Sequence, residues 1–318
     1  MKLQWRKPLY GLVAASIVGT AIGSYAAEPA ASTTVPVTMT VTATVAGSKR
    51  MPEINRNDII VKQGKNRLNV TEWIPAQGDR AGLELFILVD DTAESRLSLQ
   101  YDDLRGFIKD QPPSTLIGVG YMRNGTVQIA QDLTTDRVLT ANALRLPFGH
   151  PAAFASPYLS VVDLMKRWPV DQNRREVIMF TDGVGREHHL GWHRGYRLDV
   201  NVNTATEVAQ RTGTNIFSIY TPSSAFHHHS YRAGMNGQMN LTRLSENTGG
   251  ASFYLGLHSP VSIQPYLAQL QTAFNNQYLL SFSAMSGKRS GLQSISLSTE
   301  VAGVDLSAHN AVWVAGGK

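Results

Sequence analysis

The pattern of apolar and polar positions divides the chain into three regions. In residues 37–73 apolar residues alternate with threonine and other polar residues, as in "VTMTVTATV", which is the period of a half-buried β-strand. In residues 81–256 near-continuous apolar runs such as "LELFILV" alternate with segments whose apolar residues recur every three or four positions. After one more helical pattern at Leu267, Leu270 and Phe274, alternating β-patterns return, separated by glycine and serine.

The central region predicts an α/β fold. Continuous apolar runs are typical of strands covered on both faces, and their alternation with helices predicts a doubly wound, mostly parallel sheet. The β-rich flanks each contain too few strands to be stable alone, so we expect them to pack together as one accessory β-unit. The predicted organisation is a leader at 1–26, a linker and β-segment at 27–80, an α/β domain at 81–256, and a helix with a C-terminal β-segment at 257–318.

The amino terminus has the three-part layout of a secretory signal peptide. Three basic residues precede the apolar stretch "LYGLVAASIVGTAIG", and the small residues Ser24 and Ala26 suit cleavage before Ala27. The apolar stretch is short for a membrane span, although an uncleaved anchor stays open as an alternative. We therefore expect a secreted, periplasmic or cell-envelope protein with no integral membrane span once the leader is removed.

Composition narrows the classes of function. The chain has 318 residues and a formal net charge of +5, of which the leader carries three positive charges. The remaining formal net charge of +2 (5 − 3) is too small to predict a nucleic-acid partner. The absence of cysteine excludes disulfides and thiolate chemistry. The chain also lacks the phosphate-binding and nucleophile motifs of common enzyme classes, so the sequence does not predict an enzyme.

Oxygen-bearing side chains follow the predicted strands at the point where each strand ends. Asp90, Thr92 and Glu94 come directly after "LELFILV", and Asp182 lies in "FTDG" after a later strand. Ser156 stands just before another predicted helix. Because the carboxyl ends of parallel strands meet at one edge of a sheet, we expect these side chains to lie close together. Carboxylates and hydroxyls are the ligands that Mg²⁺ and Ca²⁺ prefer, so the sequence predicts a divalent-cation site.

A strand ending in Asp-x-Thr-x-Glu, followed about ninety residues later by a strand ending in Thr-Asp-Gly, resembles a von Willebrand factor type A (VWA) domain over residues 81–256. In that family the first loop, a downstream threonine and the later aspartate form a metal-ion-dependent adhesion site, which leaves one position for a carboxylate of a partner protein. The resemblance implies that Asp90, Thr92 and Asp182 occupy the matching positions. It also implies adhesion or assembly, and the layout of leader and β-flanks is similar to VWA-related proteins exported by acidobacteria.

Two positions depart from the family pattern. Glu94 stands where the family has a second serine, and Ser156 is a candidate for the downstream threonine because it precedes a helix at the corresponding place. The carboxylate of Glu94 either favours Ca²⁺ over Mg²⁺ or occupies the place of the partner's carboxylate. A degenerate domain that keeps the fold without the metal stays open, since acidic turn residues are common at strand ends. Asp91 is expected to serve the turn rather than to bind the cation.

Histidines form two clusters in loops that follow predicted strands. Such imidazoles can bind Zn²⁺, so a zinc hydrolase at the same face, with Glu187 as base, is an alternative function. The chain lacks a His-Glu-x-x-His motif and the spacing of a structural zinc site, which favours ordinary polar loops. A structural envelope protein without metal is a further alternative. The histidines concerned are His188, His189, His193, His227, His228 and His229.

The sequence as a whole predicts an exported, non-enzymatic VWA-like protein. Its expected partner is a protein, bound at the strand-end face through a carboxylate and a divalent cation. The two alternatives predict different metals: zinc for the hydrolase and no metal for the structural protein.

Overall fold

The computed structural model describes residues 34–317 except residues 46, 48–50, 81, 150–155, 170, 172, 186–198, 224–230, 255 and 259. The predicted leader lies outside the described residues, so its cleavage stays a prediction. Within the described ranges, each helix is too short or too polar to cross a bilayer.

The described residues form fourteen strands and six α-helices. The strands are β1 (Thr34–Val45), β2 (Ile59–Gln63), β3 (Asn66–Arg67), β4 (Asn69–Pro75), β5 (Leu83–Asp90), β6 (Thr115–Arg123), β7 (Thr126–Thr134), β8 (Arg174–Thr181), β9 (Thr214–Tyr220), β10 (Ser252–Phe253), β11 (Gln277–Met285), β12 (Gly291–Thr299), β13 (Val304–Ser307) and β14 (Ala311–Val314). The helices are α1 (Tyr101–Asp110), α2 (Arg137–Asn142), α3 (Pro157–Arg167), α4 (Val200–Thr212), α5 (Tyr231–Asn247) and α6 (Gln264–Asn275).

A six-stranded sheet occupies the centre of the α/β region. Its strand order is β10-β9-β8-β5-β6-β7, and all neighbouring pairs are parallel except β6 with β7. The chain starts in the middle with β5, winds outward to β7, and then returns to build the other half through β8, β9 and β10. This is the doubly wound order, in which ligands bind beyond the carboxyl ends of the strands near the central reversal. The predicted fold class is confirmed.

Helices cover both faces of this sheet because its central strands are apolar on both sides. Along β5, Leu85, Ile87 and Val89 join a core cluster with residues of α1 and α6. Phe86 and Leu88 point to the other face and join a second cluster with residues of α3, α4 and α5. Every residue of β5, β8 and β9 is buried, as expected for parallel strands between two helical layers.

The β-segments before and after the α/β region combine, as predicted, into an accessory β-unit of two four-stranded sheets. One sheet has the order β13-β1-β11-β4 and the other β14-β12-β2-β3. The longest pairing joins β1 to β11 and runs from Thr34 opposite Met285 to Thr42 opposite Gln277. Apolar residues of both segments share one core, which supplies the burial that neither segment achieves alone. The domain boundaries expected from the sequence stay a prediction.

Helix α5 differs from its prediction. The apolar pattern predicts a helix near residues 239–247, whereas the helix begins at Tyr231. Its first half contains Gly234 and Gly237, which lower the intrinsic helix preference. A Cβ atom at Gly237 would lie 2.0 Å from the backbone oxygen of Asp182, so this part of the helix packs directly on the turn after β8. Tertiary contact therefore extends the helix where the local sequence does not favour one.

Candidate functional site

The strand ends at the carboxyl edge of the central sheet carry the predicted site residues. Strands β5 and β8 are parallel neighbours, with Val89 opposite Phe180. Asp90 therefore ends its strand beside Thr181, and Asp182 is the first residue beyond β8. The structure thus places Asp90 and Asp182 at one edge, although 92 positions separate them in the sequence.

The Asp90 carboxylate accepts hydrogen bonds from two threonine hydroxyls. Its Oδ1 accepts from the Thr92 hydroxyl at 2.7 Å and from the Thr92 backbone N–H at 2.9 Å. Its Oδ2 accepts from the Thr181 hydroxyl at 2.8 Å. The sequence pattern does not identify Thr181 as a partner of Asp90. This contact has one signal in the sequence: Thr181 ends the strand next to β5, directly before Asp182.

A tight turn after β8 fixes Asp182. Its Oδ1 accepts from the Val184 N–H at 2.9 Å, the short-range bond typical of an aspartate in a turn. Gly183 has a φ of +68°, and a Cβ there would lie 2.6 Å from the backbone oxygen of Gly237. Glycine is therefore required at this turn both for its backbone conformation and for the close approach of α5. The carboxylate is held by the turn beneath it.

Ser156 caps helix α3. Its side-chain oxygen accepts from the Leu159 N–H at 3.3 Å, and the residue is almost fully buried. Two residues further on, the Tyr158 hydroxyl donates to the backbone oxygen of Gly183 at 2.6 Å. The start of α3 is thereby tied to the turn that carries Asp182. The observed role of Ser156 is that of a helix cap close to the site, and its proposed ligand role stays a prediction.

Glu94 lies where the loop after β5 meets the loop after β9. Its backbone N–H donates to the Pro222 oxygen at 3.0 Å, and the preceding Ala93 pairs with Ser223. The carboxylate of Glu94 is half-buried. The pKa of the Tyr220 hydroxyl is raised first by burial and then by the nearby carboxylates of Asp182 and Glu94. Both carboxylates therefore lie close to one buried phenol.

Tyr220 and Asp199 are site residues that the sequence missed. The buried hydroxyl of Tyr220 has no hydrogen-bond partner among the described residues. Asp199 caps helix α4 by accepting from the Asn201 N–H at 2.9 Å. Burial, and then the charges of Asp199 and Asp182, raise the pKa of Tyr158 well above its ordinary value. Asp199 thus adds a further carboxylate near the turn after β8, a position that strand-end patterns do not mark.

The donors at this edge have the chemistry that a hard divalent cation requires. Asp90 and Asp182 supply carboxylate oxygens, and Thr92 and Thr181 supply neutral hydroxyl oxygens. The buried and unpartnered Tyr220 hydroxyl marks a place where a further polar group would be favourable. The part of the chain that the structure describes holds no cluster of three or more His, Asp or Glu side chains arranged for a metal.

The two histidine clusters lie outside the described residues. This applies to all six histidines of the zinc alternative: His188, His189, His193, His227, His228 and His229. That alternative stays a prediction from the sequence alone.

Comparison with known proteins gives likeness in architecture only. No family model and no curated protein matches the chain. An aerotolerance-related membrane protein from Bacteroides fragilis is 12% identical, with 61% of this chain and 99% of that chain covered and a TM-score of 0.43. The VWA domain of SpRpn10 is 15% identical, with 60% and 96% covered and a TM-score of 0.37. A von Willebrand factor type A protein from Catenulispora acidiphila is 8% identical, with 82% and 73% covered and a TM-score of 0.41.

Identities and scores at this level carry no argument about activity or partner. The chain's own features define its fold: the doubly wound strand order, the Asp-x-Thr-x-Glu end of β5, and the Thr-Asp-Gly end of β8 at the same edge. By these features the central region of the chain has a VWA-like fold.

Proposed function

We propose that this protein is exported and binds a protein partner at the carboxyl edge of its parallel sheet, as a binding module rather than an enzyme. A divalent cation, Mg²⁺ or Ca²⁺, held by Asp90, Thr92 and Asp182 would present one open position to a carboxylate of the partner. The observation that carries the proposal is the meeting of Asp90 with hydroxyls from two different strand ends, beside Asp182.

The hydrogen bonds of Asp90 orient the hydroxyls as neutral ligands. Each threonine hydroxyl gives its one proton to Asp90, so its oxygen would meet a cation as a neutral ligand. The Thr181 oxygen also accepts from the Gly183 N–H at 3.2 Å. Asp182 accepts from the Val184 N–H through Oδ1, and its carboxylate is the kind of ligand that a divalent cation binds. The charge of the two aspartates would be balanced by the ion. Glu94, half-buried at the same edge, would favour Ca²⁺ if it joins the ligands.

Titration calorimetry with Mg²⁺, Ca²⁺ and Mn²⁺ tests the cation. We expect the wild type to bind at least one of these ions, and Asp90→Asn and Asp182→Asn each to weaken that binding at least about tenfold, because each removes a charged ligand. Asp102→Asn is the matched control, since its side chain is 94% exposed in a pair with Arg105. Equal binding heats in wild type and Asp90→Asn would refute the site.

The same preparation distinguishes the hydrolase alternative. Elemental analysis that finds one zinc per chain, lost in His188→Ala or His193→Ala but retained in Asp90→Asn, would favour the histidine site. A protein that binds no divalent ion, with unchanged partner binding in Asp90→Ala and Asp182→Ala, would favour the structural envelope protein.

Export rests on the leader pattern at residues 1–26. Mass spectrometry of the protein recovered from its native host should give a mature chain that begins at Ala27. Recovery of the intact leader in the membrane fraction would favour the uncleaved anchor.

A further inference from the structure

The segment between β7 and α3 exposes four large apolar side chains, two at the start of α2 and two after its end. Val138 and Leu139 on α2 are 66% and 52% exposed, and Leu146 and Phe148 after it are 57% and 55% exposed. Leu146 and Phe148 lie in the part of the segment that contacts Asp91, and we call these two residues the apolar ledge. Val138 and Leu139 lie at the start of α2, where Arg137 and Thr140 contact Pro112 and Ile117 toward the amino edge of the sheet. Single exposed apolar residues are ordinary, but several on one short segment are typical of a binding surface.

Hydrogen bonds from two buried tyrosines, and to Asp136 at the start of α2, hold the backbone of this segment in place. The hydroxyls of Tyr101 and Tyr121 donate to the backbone oxygen of Arg145 at 2.8 Å and 3.0 Å. Burial raises the pKa of both hydroxyls, so they keep their protons as donors at neutral pH. At the other end of the segment, Asp136 accepts from the Val138 and Leu139 N–H groups and caps α2. The apolar side chains therefore stand on an ordered backbone, which lowers the entropic cost of binding a partner.

Asp91 joins the ledge to the strand that carries the cation site. Its fully buried carboxylate forms a bidentate pair with Arg145, at 2.7 Å and 3.2 Å, and a 3.5 Å pair with Arg123. It also accepts from the Phe148 N–H at 3.1 Å, while its backbone oxygen accepts from the Gly149 N–H at 3.0 Å. The sequence expected Asp91 to serve the turn, and the structure shows that it anchors the ledge. Because Asp91 directly follows Asp90, the ledge borders the proposed cation site.

The ledge carries a positive charge excess. The guanidinium groups of Arg145 and Arg123 lie 4.2 Å and 5.3 Å from the centre of the Phe148 ring. Asp91 is the one carboxylate that pairs with both arginines in the described structure, so the group has a formal charge of +1. The side chains of Arg123 and Arg145 are 25% and 34% exposed. An acidic segment of a partner is therefore favoured over a basic one at this position.

We infer that the apolar ledge is a second binding subsite, which receives a large apolar side chain adjacent to the partner's acidic residue. This inference rests on the proposed function, because the acidic residue is the one bound through the cation. The occupant is thus an acidic segment of a protein in which a large apolar residue neighbours an aspartate or glutamate. Phe148 is the specificity-determining residue: it is aromatic and 55% exposed, its backbone N–H is held by Asp91, and aromatic residues are enriched at protein interfaces.

Short blocked peptides test the subsite directly. The probes are glycine-flanked peptides that contain Asp-Phe, Phe-Asp, Asp-Gly or Asn-Phe, titrated at up to millimolar concentration in Mg²⁺ or Ca²⁺ and followed by NMR. We expect one of the two Asp/Phe orders to bind about fivefold more tightly than Asp-Gly, because part of an aromatic side chain becomes buried. Phe148→Ala should abolish this preference, so that the Asp/Phe peptides and Asp-Gly bind with similar affinity.

Two variants separate the subsite from general effects on the fold. Trp313→Ala is the matched control, because it also removes a partly exposed aromatic ring that lies against an arginine, Arg211, but on β14 of the β-unit. It should leave the peptide preference intact. Phe148→Leu should retain most of the preference, since it keeps a large apolar group at the same place.

The outcomes distinguish the subsite from the proposed function. Equal binding of the Asp/Phe peptides and Asp-Gly by the wild type, abolished by Asp90→Asn, would overturn the subsite and leave the cation site standing. Equal binding of Asn-Phe and Asp-Phe, lost in Phe148→Ala but not in Asp90→Asn, would refute the cation and the acidic occupant together. Absence of binding by every probe at millimolar concentration would overturn both.

Discussion

The two ends of strand β8 carry polar and charged residues that are equally buried but differ in the partners they meet. The amino end contains Arg174 and Glu176, and the carboxyl end finishes with Thr181, which Asp182 follows directly. At the amino end, the side chain of Glu176 accepts from Gln277 Nε2 at 2.9 Å. Arg174 also contacts the Gln277 side chain. Gln277 is the first residue of β11, so these groups attach the parallel sheet to the β-unit.

At the carboxyl end the partners are hydroxyls and backbone N–H groups of the strand-end turns. Asp90 accepts from Thr92 and Thr181, and Asp182 accepts from the N–H two residues beyond it. The side chains that meet here are carboxylates and neutral hydroxyls, which are the ligand types that a divalent cation binds. Burial alone therefore does not distinguish a charge that joins two layers of the fold from one that binds a ligand. The chemistry of the immediate partners does.

The largest pH dependence of stability should come from Glu176, near the amino end of β8. Burial raises the pKa of Glu176 to about 8, so the folded protein keeps this group protonated where the unfolded chain has lost the proton. The stabilising effect is complete below about pH 4.5, and it is lost as pH rises toward 8, with a total on the order of 5 kcal/mol. Urea denaturation between pH 5 and 8 should show this decline in the wild type and a flatter profile in Glu176→Gln. Glu300→Gln, on the surface, should follow the wild type.

If the stability of Glu176→Gln declines between pH 5 and 8 as steeply as that of the wild type, Glu176 is not a buried neutral group. Glu176 would then be ionised in the folded protein and paired with Arg174, as an ordinary buried ion pair.

His309 should make the stability of the folded protein depend on pH in the acidic range. It lies where the β-unit meets the end of α5, pairs through its backbone with Thr248, and has two ring nitrogens with no hydrogen-bond partner in the described ranges. Burial lowers its pKa to about 4. The folded protein should therefore lose stability, on the order of 3 kcal/mol, as pH falls from 6.5 through 4. Thermal melting of His309→Leu should show less acid sensitivity, whereas the exposed His258→Leu should match the wild type.

The packing of α5 on the turn after β8 should affect both the stability of the protein and cation binding at the carboxyl edge of the sheet. In Gly237→Ala the new Cβ would meet the Asp182 backbone oxygen, so we expect a loss of about 2 kcal/mol and weaker cation binding. Gly106→Ala is the control, because its Cβ would enter open space on α1 and should be neutral or slightly stabilising. Chemical denaturation measures the first effect and calorimetry the second. Normal ion affinity in Gly237→Ala would show that the turn geometry does not control the site.

The smallest effect concerns the Thr181 hydroxyl. Thr181→Val removes its bond to Asp90 and should cost about 1 kcal/mol without added ion. With Mg²⁺ or Ca²⁺ present, the difference from the wild type should grow, because the ion then stabilises only the intact site. Thr181→Ser keeps the hydroxyl and should restore both values. A difference that stays constant with added ion would assign Thr181 to the turn alone.

Local sequence signals fixed several elements of the fold. The Asn124-Gly125 pair predicted the hairpin between β6 and β7, and both residues have positive φ angles of 52° and 71°. Gly213 was expected to end a helix, and it ends α4 with a φ of +64°. The apolar runs of β5, β8 and β9 identified the buried strands. In each case the signal lies within a few residues of the feature it predicts.

In the candidate site, too, only some features have a signal within a few residues of the chain. The sequence by itself determined that acidic and hydroxyl residues end parallel strands, and parallel strands of a doubly wound sheet end at one edge. Only the tertiary structure decided that Thr181 bonds Asp90, that Tyr220 and Asp199 lie nearby, and that Asp91 holds the ledge. Those contacts depend on strand register, on the path of distant loops and on side-chain rotamers. Such features are set by packing between segments far apart in the chain, and no local pattern records them.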